Sequence, residues 1–270
     1  MRIGSQLVLI SGSRVLLTGA SGGLGGAIAK TVAGRGATLV LSGRNADLLS
    51  PIATEIGAEI QVADLVEPGE AVRLAEAAGP VDILIANAAL PGAARLEHLS
   101  QQEAERVLDV NLKAPVLLAQ ALLPGMIERG RGHLVFISST AAKAAAPGNP
   151  VYHATKFGLR GLAGALRIDL HANGIGVSCV MPGFIRDAGL FAQSGAKLPV
   201  GVGTRSPQDV ADAVVRAIEK NIGEVDVASP MLRLGALLSR VAPDLAAALA
   251  RRLGSDEIAA TYEQALSAKR

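Results

Sequence analysis

The sequence predicts an α/β chain built on a doubly wound, parallel sheet of seven strands with helices on both faces. Three observations carry that prediction. Short apolar runs alternate with longer amphipathic segments, the order that repeated βαβ units produce. The short runs are apolar throughout rather than at every second position, as strands covered on both faces require. Finally, 270 residues of which 50% are hydrophobic suffice for one large core. One domain spanning 1–270 is expected, with its core at about 12–230 and a helical tail at 231–270.

The elements follow in order. Met1, Arg2 and the apolar residues 7–10 faintly resemble a leader, but Ser11, Gly12, Ser13 and Arg14 cut the run short, and a short cytosolic extension is expected. A strand at 15–17 enters a glycine-rich turn and a helix at 24–35. Strands at 38–41 and 60–62 flank a helix at 46–57, and a helix at 68–79 precedes the strand at 83–86. The long stretch 100–129 leads to a strand at 134–137, and a helix at 152–173 leads to one at 177–180. A Gly- and Pro-rich loop at 183–205 is long enough to be a lid or binding segment. Ser206 and Pro207 then suit the N-cap and N1 of a helix at 206–222, and 225–227 makes the last strand. Beyond it 231–253 is leucine-rich, and Pro243 and Asp244 split it into two short helices. No stretch reaches 18 apolar residues free of charge and proline, so no membrane-crossing segment is expected.

Composition narrows the function classes. Lys and Arg number 26 against 24 Asp and Glu, a net charge of +2, which leaves no electrostatic footprint for nucleic acid. Aromatics at 2% provide no platform for base stacking. Cys179 is the only cysteine, so no intrachain disulfide forms, which fits a reducing cytoplasm. Cys179 reads as a small buried hydrophobe. His98, His133, His153 and His171 lack metal-ligand spacing and read as surface or capping residues, so no metal is expected. There are only two tyrosines, so one in a reactive pattern carries weight.

The first strand runs into Thr18, Gly19, Ala20, Ser21, Gly22, Gly23, Leu24, Gly25 and Gly26. Glycine lets the backbone turn tightly and approach a pyrophosphate, and the helix behind it offers unpaired N–H groups at the positive end of its dipole. The plainer reading is a glycine-rich turn in a glycine-rich protein. At the end of the second strand, Leu41, Ser42, Gly43 and Arg44 include no acid to bind a ribose 2′-hydroxyl. Arg44 instead suits a 2′-phosphate, so NADP(H) is favoured over NAD(H). A solvated loop arginine is the other reading.

Tyr152 and Lys156 stand four apart on a helix and share a face. A free phenol, with a pKa near ~10, is a poor base at neutral pH, and a nearby ammonium would favour its ionised form. Such a phenol exchanges a proton with a carbonyl or alcohol oxygen. Spacing alone equally allows a surface pair. Ser139 adds to the case: it ends a buried strand, and in open parallel sheets ligands sit at the carboxyl ends of strands. Its hydroxyl there could hold a reacting oxygen, or cap a turn. Ser138 would face the other way.

With these motifs together, the sequence resembles the short-chain dehydrogenase/reductase family over roughly residues 12–230. The resemblance rests on Thr18 to Gly25, Asp64 with Leu65, Ala86-Asn87-Ala88, Asn111, Ser139, Tyr152 with Lys156, and Pro182 with Gly183. It implies a Rossmann-type fold, a nicotinamide cofactor and an Asn-Ser-Tyr-Lys catalytic set. Tyr152 would be the general acid/base and Ser139 would hold the substrate oxygen. Lys156 would bind the nicotinamide ribose and lower the tyrosine pKa. Asn111 would keep a helix bend and a water linking Lys156 to solvent. Asp64 would meet the adenine and Asn87 the cofactor side of the sheet, with Leu65 and Ala88 also among the cofactor-binding residues. Thr18, Gly19, Ser21, Gly22, Gly23, Leu24, Gly25, Arg44, Pro182, Gly183 and Ile185 would complete the cofactor site. Two departures stand out. Ala89 replaces a usual glycine, and Asp187 stands where a threonine is usual, an acid that would need pairing, for example by Arg186.

The resulting expectation is an NADP(H)-dependent oxidoreductase acting on a carbonyl/alcohol pair. A dinucleotide-binding sensor without turnover is the alternative, and a sugar-nucleotide epimerase a weaker third. Phe184, Ile185, Leu190, Phe191, Leu198 and Val200 in the long loop suggest an apolar substrate pocket, with core or subunit interface as the other readings. Apolar residues on more than one face of 102–124 and 157–170 suggest a homodimer or homotetramer. The tail reads first as a cap over the crevice, with contact to a membrane surface or another subunit as the other readings.

Overall fold

The computed structural model describes residues 8–194, 198 and 202–267. Met1, Arg2, Leu7, Val200 and the side chain of Leu190 lie outside what it describes. Seven parallel strands occur in the order β3-β2-β1-β4-β5-β6-β7: β1 Arg14–Thr18, β2 Thr38–Gly43, β3 Glu59–Val62, β4 Ile83–Ala86, β5 Gly132–Ile137, β6 Ile175–Pro182 and β7 Glu224–Val227. β1 pairs with β2 through Val15 and Leu39, and with β4 through Val15 and Ile83. Strand order therefore reverses beside β1, which opens a crevice at the carboxyl ends of β1 and β4.

The apolar runs of the central strands become strands because both their faces are covered, whereas the edge strand β3 is only partly covered. Val15, Leu17, Leu41, Ile83 and Ile85 pack beneath α1 (Gly23–Ala33), α2 (Ala46–Ile56) and α8 (Pro207–Glu219). Leu16, Val40, Leu84, Leu134 and Phe136 point the opposite way, beneath α3 (Glu70–Ala78), α5 (Ala114–Glu128) and α6 (Pro150–Asp169). Local chemistry sets the helix starts. Ser206 accepts from Asp209 N and Asp209 returns a bond to Ser206 N, a capping box on α8. Asn45 caps α2, which puts Asp47 in its first turn.

The stretch 100–129 is not one regular helix. α4 (Gln101–Leu108) passes through a π-turn, Asp109–Lys113, into α5, and the extra residue in the turn carries Asn111 into the interior. Gln101–Glu128 is long and apolar enough by length and composition to cross a membrane, though Lys113, Pro115 and Pro124 interrupt it, so no run free of charge and proline reaches 18 residues there. The charges gather in α4 and the π-turn, with Glu128 at the far end, and leave an apolar window between. Leu118, Leu122 and Met126 from that window are buried against the sheet.

The loop after β6 holds a short helix, α7 (Gly189–Ser194), and is closed at its base where Arg205 N donates to Phe184 O at 2.9 Å. The tail forms α9 (Pro230–Val241), α10 (Pro243–Arg252) and α11 (Ser255–Ser267). Pro243 does open a new helix; α11, which follows Gly254 with φ +83°, is an addition to the expected pair.

Candidate active site

The turn between β1 and α1 is held shut by its own glycines. Gly19 has φ +66°, and a Cβ there would lie 2.8 Å from Ala88 Cα; a Cβ on Gly25 would strike Gly19 O. Gly22 caps α1 without a side chain, and no acid stands in its first turn. The helix N–H groups and dipole thus face the crevice uncompensated, which is what a pyrophosphate requires. A Cβ on Gly23 would collide with Ala188, so the segment after β6 leans directly on this cradle. These features fit a dinucleotide.

The neighbouring strand end locks the turn in place. Asn87 Nδ2 donates to Thr18 O and Gly19 O, both at 3.1 Å. Thr18 Oγ1 accepts from Asn87 N and Ala88 N, also at 3.1 Å. Thr18 is therefore spent on the scaffold and does not line the crevice, unlike Gly19, Ser21, Gly22, Gly23, Leu24 and Gly25. Arg44 lies exposed at the tip of β2, and Asp64 and Leu65 follow β3; all three line the same crevice. Asp64 accepts from Val66 N and so fixes its own turn.

Ser139, at the end of β5, and Tyr152 and Lys156, on the first turns of α6, converge beside it. Ser139 Oγ donates to Pro182 O at 3.3 Å and accepts from Ala141 N at 3.1 Å, so it caps a turn and lines the site at once. Ser138 points the other way, as strand alternation requires, and donates to Lys156 O at 3.0 Å. Lys156 is buried, donates from Nζ to Ile137 O at 3.0 Å and stands 5.4 Å from the Tyr152 ring centroid.

Burial dominates both ionisable groups. Tyr152 keeps some accessible area because it faces the crevice, yet protein surrounds it closely, and desolvation pushes its phenol up to about 12, opposed by hydrogen bonding to Ser139. Desolvation lowers Lys156 to about 8. The expected acidification of Tyr152 by Lys156 is thus outweighed here: the ammonium is turned to a backbone carbonyl, and loss of water favours the neutral form of each.

Asn111 is fully buried behind the crevice rather than in its wall. Its amide bonds Leu90 on both sides, Oδ1 accepting from Leu90 N at 2.6 Å and Nδ2 donating to Leu90 O at 2.9 Å. Its Nδ2 also reaches Thr155 Oγ1 at 3.5 Å, tying the π-turn to α6. Pro182, Gly183 and Ile185 line the crevice. Asp187, with φ +65°, projects outward beside Arg186, Nε to Oδ2 3.6 Å, and brings no negative charge into the cradle.

Two histidines depart from the surface reading. His133 is buried in β5 against Ser178 Oγ at 2.8 Å, and desolvation lowers it to about 3. His153 is buried, lines the crevice and braces the segment after Ser139: Nδ1 faces Ala141 O at 2.9 Å and Nε2 accepts from Ala146 N at 3.2 Å. Its place beside Tyr152 was the available signal, but adjacent helical residues diverge, and only the fold brings 141–146 alongside it. His98 pairs with Glu263 of α11 at 2.6 Å. Cys179 is buried and free. Among the described residues no cluster could hold a metal ion.

The crevice opens into a cavity of about 1160 Å³. Its far side is walled by the tail. Leu232 of α9 packs where a Cβ on Gly183 would stand, and Ala259 of α11 where a Cβ on Gly148 would stand. The roof therefore rests on both walls of the site, one after β6 and one just before Tyr152.

A profile of the short chain dehydrogenase family matches residues 13–199. The chain belongs to that family. Ketoacyl reductase HetN of Nostoc sp. is 34% identical over 230 residues, 82% of this chain and 80% of its own. Dehydrogenase/reductase SDR family member 7B of Bos taurus is 34% identical over 253 residues, 86% and 78% of the two chains. A 3-oxoacyl-[acyl-carrier-protein] reductase of Rickettsia conorii is 33% identical over 217 residues, 77% and 90%. Among solved structures, a blue fluorescent protein from a metagenomic library in complex with NADPH superposes with a TM-score of 0.72 at 26% identity, covering 82% of this chain and 98% of that one. As a short-chain dehydrogenase, the protein is an oxidoreductase of the carbonyl/alcohol class with a Rossmann-type NAD(P)-binding fold. Its match stops short of the roof.

Proposed function

We propose that this short-chain dehydrogenase is a single-domain, cytoplasmic, homo-oligomeric enzyme that uses NADP(H) to interconvert an apolar carbonyl compound and its alcohol. The observation that carries the reading is the convergence of Ser139, Tyr152 and Lys156 in one cavity with the glycine cradle. A bound nicotinamide supplies or accepts the hydride. Ser139 holds the carbonyl oxygen, and Tyr152 delivers its phenolic proton to that oxygen as the carbon becomes an alcohol carbon. A phenol raised to about 12 stays protonated at neutral pH, which suits the reducing direction. Lys156 holds the ribose, and Asn111 keeps the bend that positions α6. Relatives named as ketoacyl and oxoacyl reductases support a carbonyl substrate, and Arg44 supports a 2′-phosphate.

The test is an NADPH-consumption screen over aldehydes, ketones and quinones, with NADH in parallel. Tyr152→Phe is expected to abolish turnover while NADPH affinity, read by fluorescence titration, stays within about twofold, since only the proton donor is lost. Near-full turnover by that variant sinks the mechanism.

A further inference from the structure

The cavity is larger than the ~300–1000 Å³ that one small ligand usually fills, leaving room beside a dinucleotide. Its two ends differ in chemistry. The end at β5 and α6 carries Ser139, Tyr152 and Lys156. At the roof end, the lining residues of α9, α10 and α11 include one ionisable side chain, Asp244. Leu238, Ala246, Ala250 and Ile258 make an aliphatic wall there. At the rim Leu234, Leu249 and Leu253 line the cavity and are 63%, 45% and 59% exposed, like Leu237 and Leu245 of the same helices outside it. A small polar substrate would leave these three leucines in water. An aliphatic chain passing them removes their surface and its own from water at ~25 cal/mol per Å².

We infer that the substrate carries an extended hydrocarbon chain, its reacting carbon at Tyr152 and its chain beneath the roof, leaving the protein past Leu234, Leu249 and Leu253. This rests on the proposed carbonyl chemistry for the reacting end and on the roof alone for the chain. A buried methylene is worth up to ~0.8 kcal/mol, about fourfold in affinity, so chain length is the property the roof reads.

The experiment uses the full chain with NADPH and a series of straight-chain aldehydes from four to fourteen carbons. The ratio of kcat/KM for twelve carbons to that for four is expected to exceed about a hundred. Ala246→Phe, which fills the roof end, should lower that ratio at least tenfold. Leu234→Asp at the exposed rim should do the same; because Leu234 is not in the core, it guards against misfolding of the first variant. In parallel, binding of 11-(dansylamino)undecanoic acid is followed by fluorescence, a readout independent of turnover. It should bind wild type and Tyr152→Phe alike, weaken at least tenfold in Ala246→Phe, and be displaced by dodecanol. If no aldehyde turns over but the probe behaves this way, the proposed NADPH-dependent reduction of an apolar carbonyl fails and the chain site stands. A flat chain-length profile with no probe binding overturns the chain site and leaves the chemistry intact.

Discussion

Lys156 shows what the site costs the fold. A buried amine lowered from 10.5 to about 8 binds a proton less readily than the same group in the unfolded chain. The folded state therefore carries a penalty of about 3 kcal/mol at every pH below about 8, and that penalty fades as pH rises from about 8 towards 10.5. Lys156→Met removes the buried charge at similar volume and orphans Ile137 O. It should stabilise the protein by about 2 kcal/mol at pH 7, less at pH 9.5, while turnover is lost. Urea denaturation of both proteins at the two pH values checks this; a variant no more stable at pH 7 contradicts it. Arg44 gives the second residue-scale prediction. Arg44→Ala should weaken NADPH at least tenfold, about 1.4 kcal/mol, and leave NADH nearly unchanged; equal losses for both nucleotides would refute a 2′-phosphate contact. At this scale the sequence displayed the reacting types and spacings well. It could not display burial, which decides both ionisations and which moved His133 and His153 indoors.

Elements were legible where periodicity is strong. All seven strands stand where apolar runs placed them; the central ones are covered on both faces and leave a contiguous signature, while the edge strand β3 is only partly covered. The π-turn at Asp109–Lys113 left no periodic signature: one inserted residue only shifts the helical phase, Pro115 just beyond it suits any helix start, and a bend at Asn111 was implied by the family resemblance alone. The same helices carry the assembly prediction. Leu108, Phe157 and Ile168 remain exposed, Ile168 at 79%, and the small residues that share the α6 face with Phe157 and Ile168, Ala154, Gly161, Gly164 and Ala165, are exposed as well. A second copy is expected to cover them. Light scattering should give a dimer or tetramer at micromolar concentration, and Phe157→Glu should shift it towards monomer. A stable wild-type monomer would discard the idea.

For the whole molecule, the sheet and crevice followed from the βαβ order, whereas the roof did not. Leucine content and Pro243 indicated short helices, but where they dock is set by long-range contacts to Gly183 and Gly148, which no local pattern encodes. The wall they form also lies apart, in the chain, from the groups that do the chemistry. Cradle, serine, tyrosine and lysine all fall between residues 18 and 183, and the roof begins at 230. Selectivity can therefore drift without disturbing reactivity, and the two can be inherited separately. A chimera that keeps residues 1–229 and takes its last helices from a relative should keep its coenzyme and its stereochemical outcome while adopting the donor's taste in substrates.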